Sequence, residues 1–149
     1  MTLSLERTAA ILPADFPELE ADATADGHRH MTRLAAEFAL NRTIFHATYT
    51  CRVNGRLAGV GAITDEPAMT VQTMWRMRRL YVHRQFRRRE VARTIASALL
   101  LEATSKVSIV TVHAGNDGAA RFWEAIGFRP VEDQEWSHEA QVLAGPEVR

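Results

Sequence analysis

The sequence has 149 residues, 46% hydrophobic and 24% charged, with 18 basic and 18 acidic side chains and no formal net charge. That length and apolar content suit one domain, residues 1–149, with a core that needs neither disulfides nor metal. Neutrality excludes a uniformly basic nucleic-acid binder or an acidic tail. The balance is uneven, however: eight arginines and one acid, Glu90, fall between Arg76 and Arg93, so this stretch carries +7 and the remainder −7. The lone cysteine, Cys51, has no intrachain partner. No apolar run is long enough to span a bilayer, and the N-terminus lacks the pattern of a secretory signal. These features lead us to expect a cytoplasmic protein with no membrane partner.

The elements follow in chain order. A short strand near Leu3–Arg7 precedes a turn and helix start at Pro13 and Asp15, with alanine-rich sequence running to Gly27. Met31, Leu34, Ala35 and Phe38 recur at helical spacing and predict a helix over about His30–Leu40. Residues Ile44–Val53 and Leu57–Ile63 read as antiparallel strands joined at Asn54-Gly55, a strong hairpin signal. Asp65-Glu66-Pro67 then breaks the ladder. In the next strand, Thr73–Val82, Trp75 and Met77 share one parity and Leu80 and Val82 the other. One inserted residue near Arg78 or Arg79 puts all four on one face, the pattern of a β-bulge; a strand buried on both faces is the other reading.

A basic loop, His83–Arg88, leads to a helix running through about Thr104, with Val91, Ile95, Ala98 and Leu99 on one side. Val107–Val112 is a short apolar strand. Asn116 or Asp117 can cap the following helix, which places Phe122 and Ile126 on its buried side and ends near Gly127. Two further short strands fit the polar remainder. Strands and helices in this order give an α+β fold, a central sheet covered by helices.

The chemistry concentrates where strand, basic turn and helix meet. A helix N-terminus presents unpaired amides and the positive end of its dipole, which together attract anions. Arg87, Arg88 and Arg89 lie directly before one. Leu80-Tyr81-Val82 precedes Arg87-Arg88-Arg89-Glu90-Val91-Ala92, which resembles the Q/R-x-x-G-x-G/A turn of the GNAT superfamily of acyl-CoA-dependent N-acyltransferases. A second pattern of that family, Asn-x-x-Ala-x-x-aromatic-aromatic and then Gly-Phe, is matched by Asn116, Ala119, Phe122, Trp123, Gly127 and Phe128.

The resemblance implies a GNAT-type mixed, mostly antiparallel sheet with a splayed, bulged strand, and acetyl-CoA as acyl donor with no metal. Amides from Arg87 to Ala92 would hold the pyrophosphate, and the arginines the other phosphate. Backbone groups of Leu80, Tyr81 and Val82 would bind the pantetheine, with the Val82 N–H as the oxyanion donor. Asn116 would orient the pantetheine, and Phe122 and Trp123 would line the cleft. An acceptor amine would attack directly.

Four positions depart from the family pattern, the mildest being Arg88, which stands where many relatives have glycine but where a side chain can face solvent. Glu90 replaces a glycine, and its carboxylate either points outward to pair with Arg87 or Arg93 or weakens CoA binding. Trp123 replaces a tyrosine acid, and indole cannot donate a proton to a thiolate. Arg76 stands near where relatives place a glutamate base. Glu37, His46 and Glu66 are the candidate bases. The alternative is therefore a GNAT-like acyl-CoA-binding or regulatory domain with little transfer. The acceptor would be a small-molecule or peptide amine, met by the first two helices, the Asp65–Met69 loop and the tail after Phe128. Their acids, among them Asp15, Asp22, Asp26, Glu37 and Glu66, suggest a cationic amine or else simply balance the arginines. A homodimer stays open, and nucleic acid is not an expected partner.

Overall fold

Asn54 and Gly55 both have positive φ, 50° and 87°, the backbone of a tight hairpin turn. They join β2 (Phe45–Val53) to β3 (Arg56–Asp65) in the computed structural model, which describes residues 2–8, 10–68 and 71–142. Met69 and the end of the C-terminal tail, both in segments expected to meet the acceptor, lie outside the described residues. The other elements are β1 (Leu3–Arg7), α1 (Phe16–Ala25), α2 (His30–Asn41), β4 (Trp75–Val82), α3 (Val91–Ala103), β5 (Ile109–Val112), α4 (Asp117–Ala125), β6 (Arg129–Pro130) and β7 (His138–Gln141). One sheet runs β1-β2-β3-β4-β5-β7-β6. Its neighbours are antiparallel except β4 and β5. This is the expected mixed α+β architecture. No helix among the described residues is long and apolar enough to cross a membrane.

Each sheet face carries its own apolar cluster. Phe16, Leu19 and Ala23 of α1 and Met31 and Leu34 of α2 pack on Leu57, Val60, Ala62 and Tyr81. On the other face, Val91, Ile95, Ala96 and Leu99 of α3 join Trp75, Met77, Val82, Val110 and Val112. Glycine lets α3 lie close to β3: a Cβ on Gly61 would stand 2.7 Å from Ile95 Cγ2 and 3.1 Å from Leu80 Cδ1. Real side chains do not approach that closely, so any larger residue there would push the helix or β4 away.

The bulge falls where the parity break predicts it. Val60 pairs with Tyr81 and Ala62 with Arg78, so Gly61 alone opposes Arg79 and Leu80. Arg79 takes up the extra residue with φ 56°. Trp75, Met77, Leu80 and Val82 consequently share the α3 face while Tyr81 faces α1 and α2. Some boundaries differ from expectation. β5 begins at Ile109 rather than Val107, because the Val107 N–H still bonds the Ala103 carbonyl in the last turn of α3. In α4 the deeply buried residue is Trp123, at 6% exposure, while Phe122 and Ile126 are half-buried.

The ladder between β4 and β5 is the feature that shapes the site. Only Trp75 with Val110 and Arg76 with Thr111 pair. β4 continues to Val82 without its neighbour, so the two strands part into a cleft.

Candidate active site

The cleft has exposed main chain along its β4 wall. His83 donates its backbone N–H to the Ala58 carbonyl at 2.8 Å, and Val82 opposes Gly59. Hydrogen-bonding groups alternate sides in an antiparallel ladder, so the N–H and C=O of Val82 point away from β3 into the space between β4 and β5. The carbonyl already receives Arg87 Nε at 3.2 Å.

At the mouth of the cleft stands the N-terminus of α3. Its N-cap residue, Glu90, has φ 65° and makes no side-chain cap, and Arg88 has φ 64°. Left-handed residues alternating with ordinary ones turn successive amides toward one point, an arrangement that suits an anion. The conformation also explains why glycine favours position 90 in the family pattern. Glu90 does not fill the concavity. Its side chain is 69% exposed and reaches Arg93 Nε at 3.4 Å, which is the outward orientation.

Most of the arginines between Arg76 and Arg93 are already paired. Arg76 binds Glu66, Arg79 binds Glu37, Arg84 binds Asp22 and Arg87 binds Asp26, while Arg52 outside the block binds Asp15. Asp15, Asp22 and Asp26 follow one another at spacings of seven and four, along one side of α1, where they can meet the basic strand-turn segment. These three carboxylates therefore neutralise arginines, in line with the reading that the acids balance the basic residues. Arg88, Arg89 and Arg78 are left without an ion-pair partner among the described residues.

Asp22 is the centre of the α1 contact. It accepts from Tyr81 Oη at 2.7 Å, and from the Arg84 backbone N–H and Nε, both at 3.1 Å. Burial pushes its carboxyl up, but these hydrogen bonds prevail and hold it below the ordinary range. A lowered folded pKa stabilises the fold fully above the unfolded value near 4, and the benefit is lost as pH falls through the folded value. Asp22→Asn is therefore expected to cost about 1–3 kcal/mol at pH 7. The gap to the wild type should shrink below pH 4, as read from urea melts at the two pH values.

The candidate bases are engaged. Glu37 grips Arg79 through both oxygens, at 3.0 and 2.7 Å. His46 bonds Asp65 at 2.8 Å and stacks on Trp75 with ring centroids 4.0 Å apart. Its row in the sheet lies between Phe45, opposite Thr64, and Ala47, opposite Ile63, some four to five residues of β3 from the Val82 row, or about 13–17 Å. Glu66, its side chain 1% exposed, accepts from Arg76 Nε, Thr111 Oγ1 and the Ala68 N–H at 2.6–2.8 Å. It locks the point where β4 and β5 meet. Asn116 Oδ1 caps α4 through the Ala119 N–H at 2.8 Å. Trp123 packs edge-on against Phe122 and Phe128, so it forms core beneath the cleft rather than its lining. Sequence reasoning gave Arg78 a place at the bulge but no role in the site, and it did not pair Asp15, Asp22 and Asp26 with particular arginines; their spacing was the available signal for one shared side of α1.

The family model for the acetyltransferase (GNAT) domain matches residues 19–140, and the chain belongs to that family of acyltransferases. The fold is shared with solved structures of low sequence identity. A candidate acetyltransferase from Exiguobacterium sp. 255-15 superposes with a TM-score of 0.81 at 16% identity, over 95% of this chain and 94% of that one. The ribosomal-protein-S18-alanine N-acetyltransferase from Escherichia coli gives 0.68 at 13%, over 99% of both chains. An AtaT toxin mutant bound to the C-terminus of the antitoxin AtaR and acetyl-CoA gives 0.68 at 15%, over 95% and 94%. No curated protein matches the chain.

Proposed function

We propose that this protein moves an acetyl group from acetyl-CoA to the amine of an acceptor in the cleft beside β4, in the cytoplasm. The observation that carries the reading is the parting of β4 from β5 after two residue pairs, directly below an uncapped helix N-terminus flanked by Arg88 and Arg89. The residues present fit the donor. Amides from Arg87 to Ala92 take the pyrophosphate, Arg88 and Arg89 meet phosphate charge, and the backbone of Leu80 to Val82 runs beside the pantetheine. Phe122 and the free side of Asn116 face it from α4. Arg87 contributes its amide only, because its guanidinium bridges Asp26 and the Val82 carbonyl.

Acetyl-CoA supplies an acyl group already activated as a thioester. The Val82 N–H polarises the carbonyl and holds the developing oxyanion. As the amine nitrogen bonds the acyl carbon, the C–S bond breaks and its electron pair leaves on sulfur; the amine proton passes to solvent or to that sulfur. No step needs a covalent enzyme intermediate. Calorimetric titration with acetyl-CoA, followed by thiol release over a panel of amines, tests the reading. Absence of binding at millimolar donor overturns it.

One observation favours a second reading, acyl-CoA binding with little transfer. Trp123 is buried and has no acidic proton, and Arg76 and Glu66 are locked to each other. General acid–base assistance is worth about 10²- to 10⁴-fold, so this reading predicts donor binding with slow thiol release toward every amine.

A further inference from the structure

We infer that the acceptor carries an anionic oxygen group, carboxylate or phosphate, on the same molecule as its amine, and that Arg78 binds it. This rests on the acetyltransferase reading of the cleft and adds the chemical class of the second substrate.

The basic block between Arg76 and Arg93 is largely paired. Five of its eight arginines hold a carboxylate: Arg76, Arg79, Arg84, Arg87 and Arg93. The three that remain fall at two places. Arg88 and Arg89 are exposed at the α3 N-terminus, where the donor's phosphates belong. Arg78 is elsewhere, in β4, two residues beyond the last pair with β5 and immediately before the bulge.

Arg78 is half-buried, yet its guanidinium makes no hydrogen bond or ion pair with any described residue. Its neighbours do not compensate it. Arg76 and Arg79 flank it, and the two nearby acids, Glu66 and Glu37, are each held by one of those arginines. The cluster therefore carries three cations and two anions. Burial, and then the charges of Arg79 and Arg76, push the Arg78 pKa down. Since a guanidinium does not give up its proton in a protein, Arg78 keeps its charge between two like charges, and an anion would relieve that repulsion. Arg76 and Arg79 each hold a carboxylate and Arg78 holds none among the described residues, so the missing partner is assigned to a ligand.

The position suits a second substrate. Arg78 lies on the α1 and α2 face, opposite the α3 face that bears Met77, Leu80 and Val82. It precedes Val82 by four residues, at most about 13 Å along the strand. A small molecule with its amine near the Val82 amide can thus place an anionic group on the Arg78 fork, whose planar donors match carboxylate and phosphate oxygens in pairs. The same charge would repel a polycationic acceptor.

The test compares matched amines in a thiol-release assay at saturating acetyl-CoA: an α-amino acid with its carboxamide, an aminoalkyl phosphate with the parent amino alcohol, and a polyamine. The wild type is expected to favour the anionic member of at least one pair by about 10- to 100-fold in kcat/KM. Whichever pair shows it identifies the group. Arg78→Gln should erase the preference by raising KM for the anionic member, and Arg78→Lys should restore it in part. Equal rates within every pair, a preference for the polyamine, or an unchanged preference in Arg78→Gln would overturn the inference.

A separate measurement covers an enzyme too slow to assay. Calorimetric titration of the same anions into protein with and without CoA should show binding that Arg78→Gln removes; no binding, or equal binding by the variant, also overturns the inference. Donor binding measured alone distinguishes this failure from failure of the acetyltransferase reading, since Arg78 has no part in holding CoA.

Discussion

Val82→Pro is expected to lower kcat for acetyl transfer by about 10²- to 10³-fold while leaving the fold and donor binding nearly intact. Proline removes one backbone N–H, and this one points into the cleft rather than at β3, so no rung of the β3–β4 ladder is lost. The neighbouring rungs remain, including His83 N–H to Ala58. Val82→Ala keeps the donor and should stay within about threefold of wild type, which separates the backbone group from the side chain. Comparable kcat in the two variants, with unchanged thermal midpoints, would remove Val82 from the oxyanion role. A fall in acetyl-CoA affinity alone would move its contribution to pantetheine binding.

Replacing Arg88 and Arg89 together by alanine is expected to weaken acetyl-CoA binding by about 10- to 100-fold at low ionic strength. The loss should narrow at high salt, because exposed charges are screened over a few ångströms at molar salt. Neither guanidinium has an ion-pair partner among the described residues, so the double variant should retain wild-type stability. Arg84→Ala is the contrasting control: Arg84 is tied to Asp22, and its loss should lower stability more than donor affinity. Glu90→Gly should move affinity the other way. It relieves a left-handed non-glycine residue, a cost of about 1–3 kcal/mol, and removes the one carboxylate beside the phosphate site. Salt-independent binding, or a double variant that binds donor normally, would show that backbone amides alone hold the phosphates.

The sequence displayed the site's frame more clearly than its electrostatics. The hairpin was visible in Asn54-Gly55 and the bulge in the change of parity between Met77 and Leu80, since both are local consequences of backbone geometry. The donor site was visible as a motif, although the left-handed backbone at Arg88 and Glu90 could be anticipated only from the glycines that relatives place at both. The partners of the arginines were hidden. Asp22 meets Arg84 and Asp26 meets Arg87 across some sixty residues, contacts that exist only after α1 docks on the sheet. Without them the acidic half of the chain read either as a surface for a cationic substrate or as a balance for the arginines. Trp123 misled for a related reason: its place in the motif suggested the cleft wall, while packing against Phe128 draws the indole into the core.

The short seam between β4 and β5 also has a consequence for cooperativity. With two residue pairs at its centre, the sheet is held across that line chiefly by the apolar layer beneath α3 and α4 and by Glu66, which bridges Arg76 and Thr111. On one side β1 to β4 are joined by long ladders, while on the other β5 pairs with β7 in four rows and β7 with β6 in two. Backbone amides of β5 and β7 can therefore open to solvent as a group without unzipping β1 to β4, giving the two halves distinct protection against exchange, with the buried Glu66 carboxylate as the clasp between them.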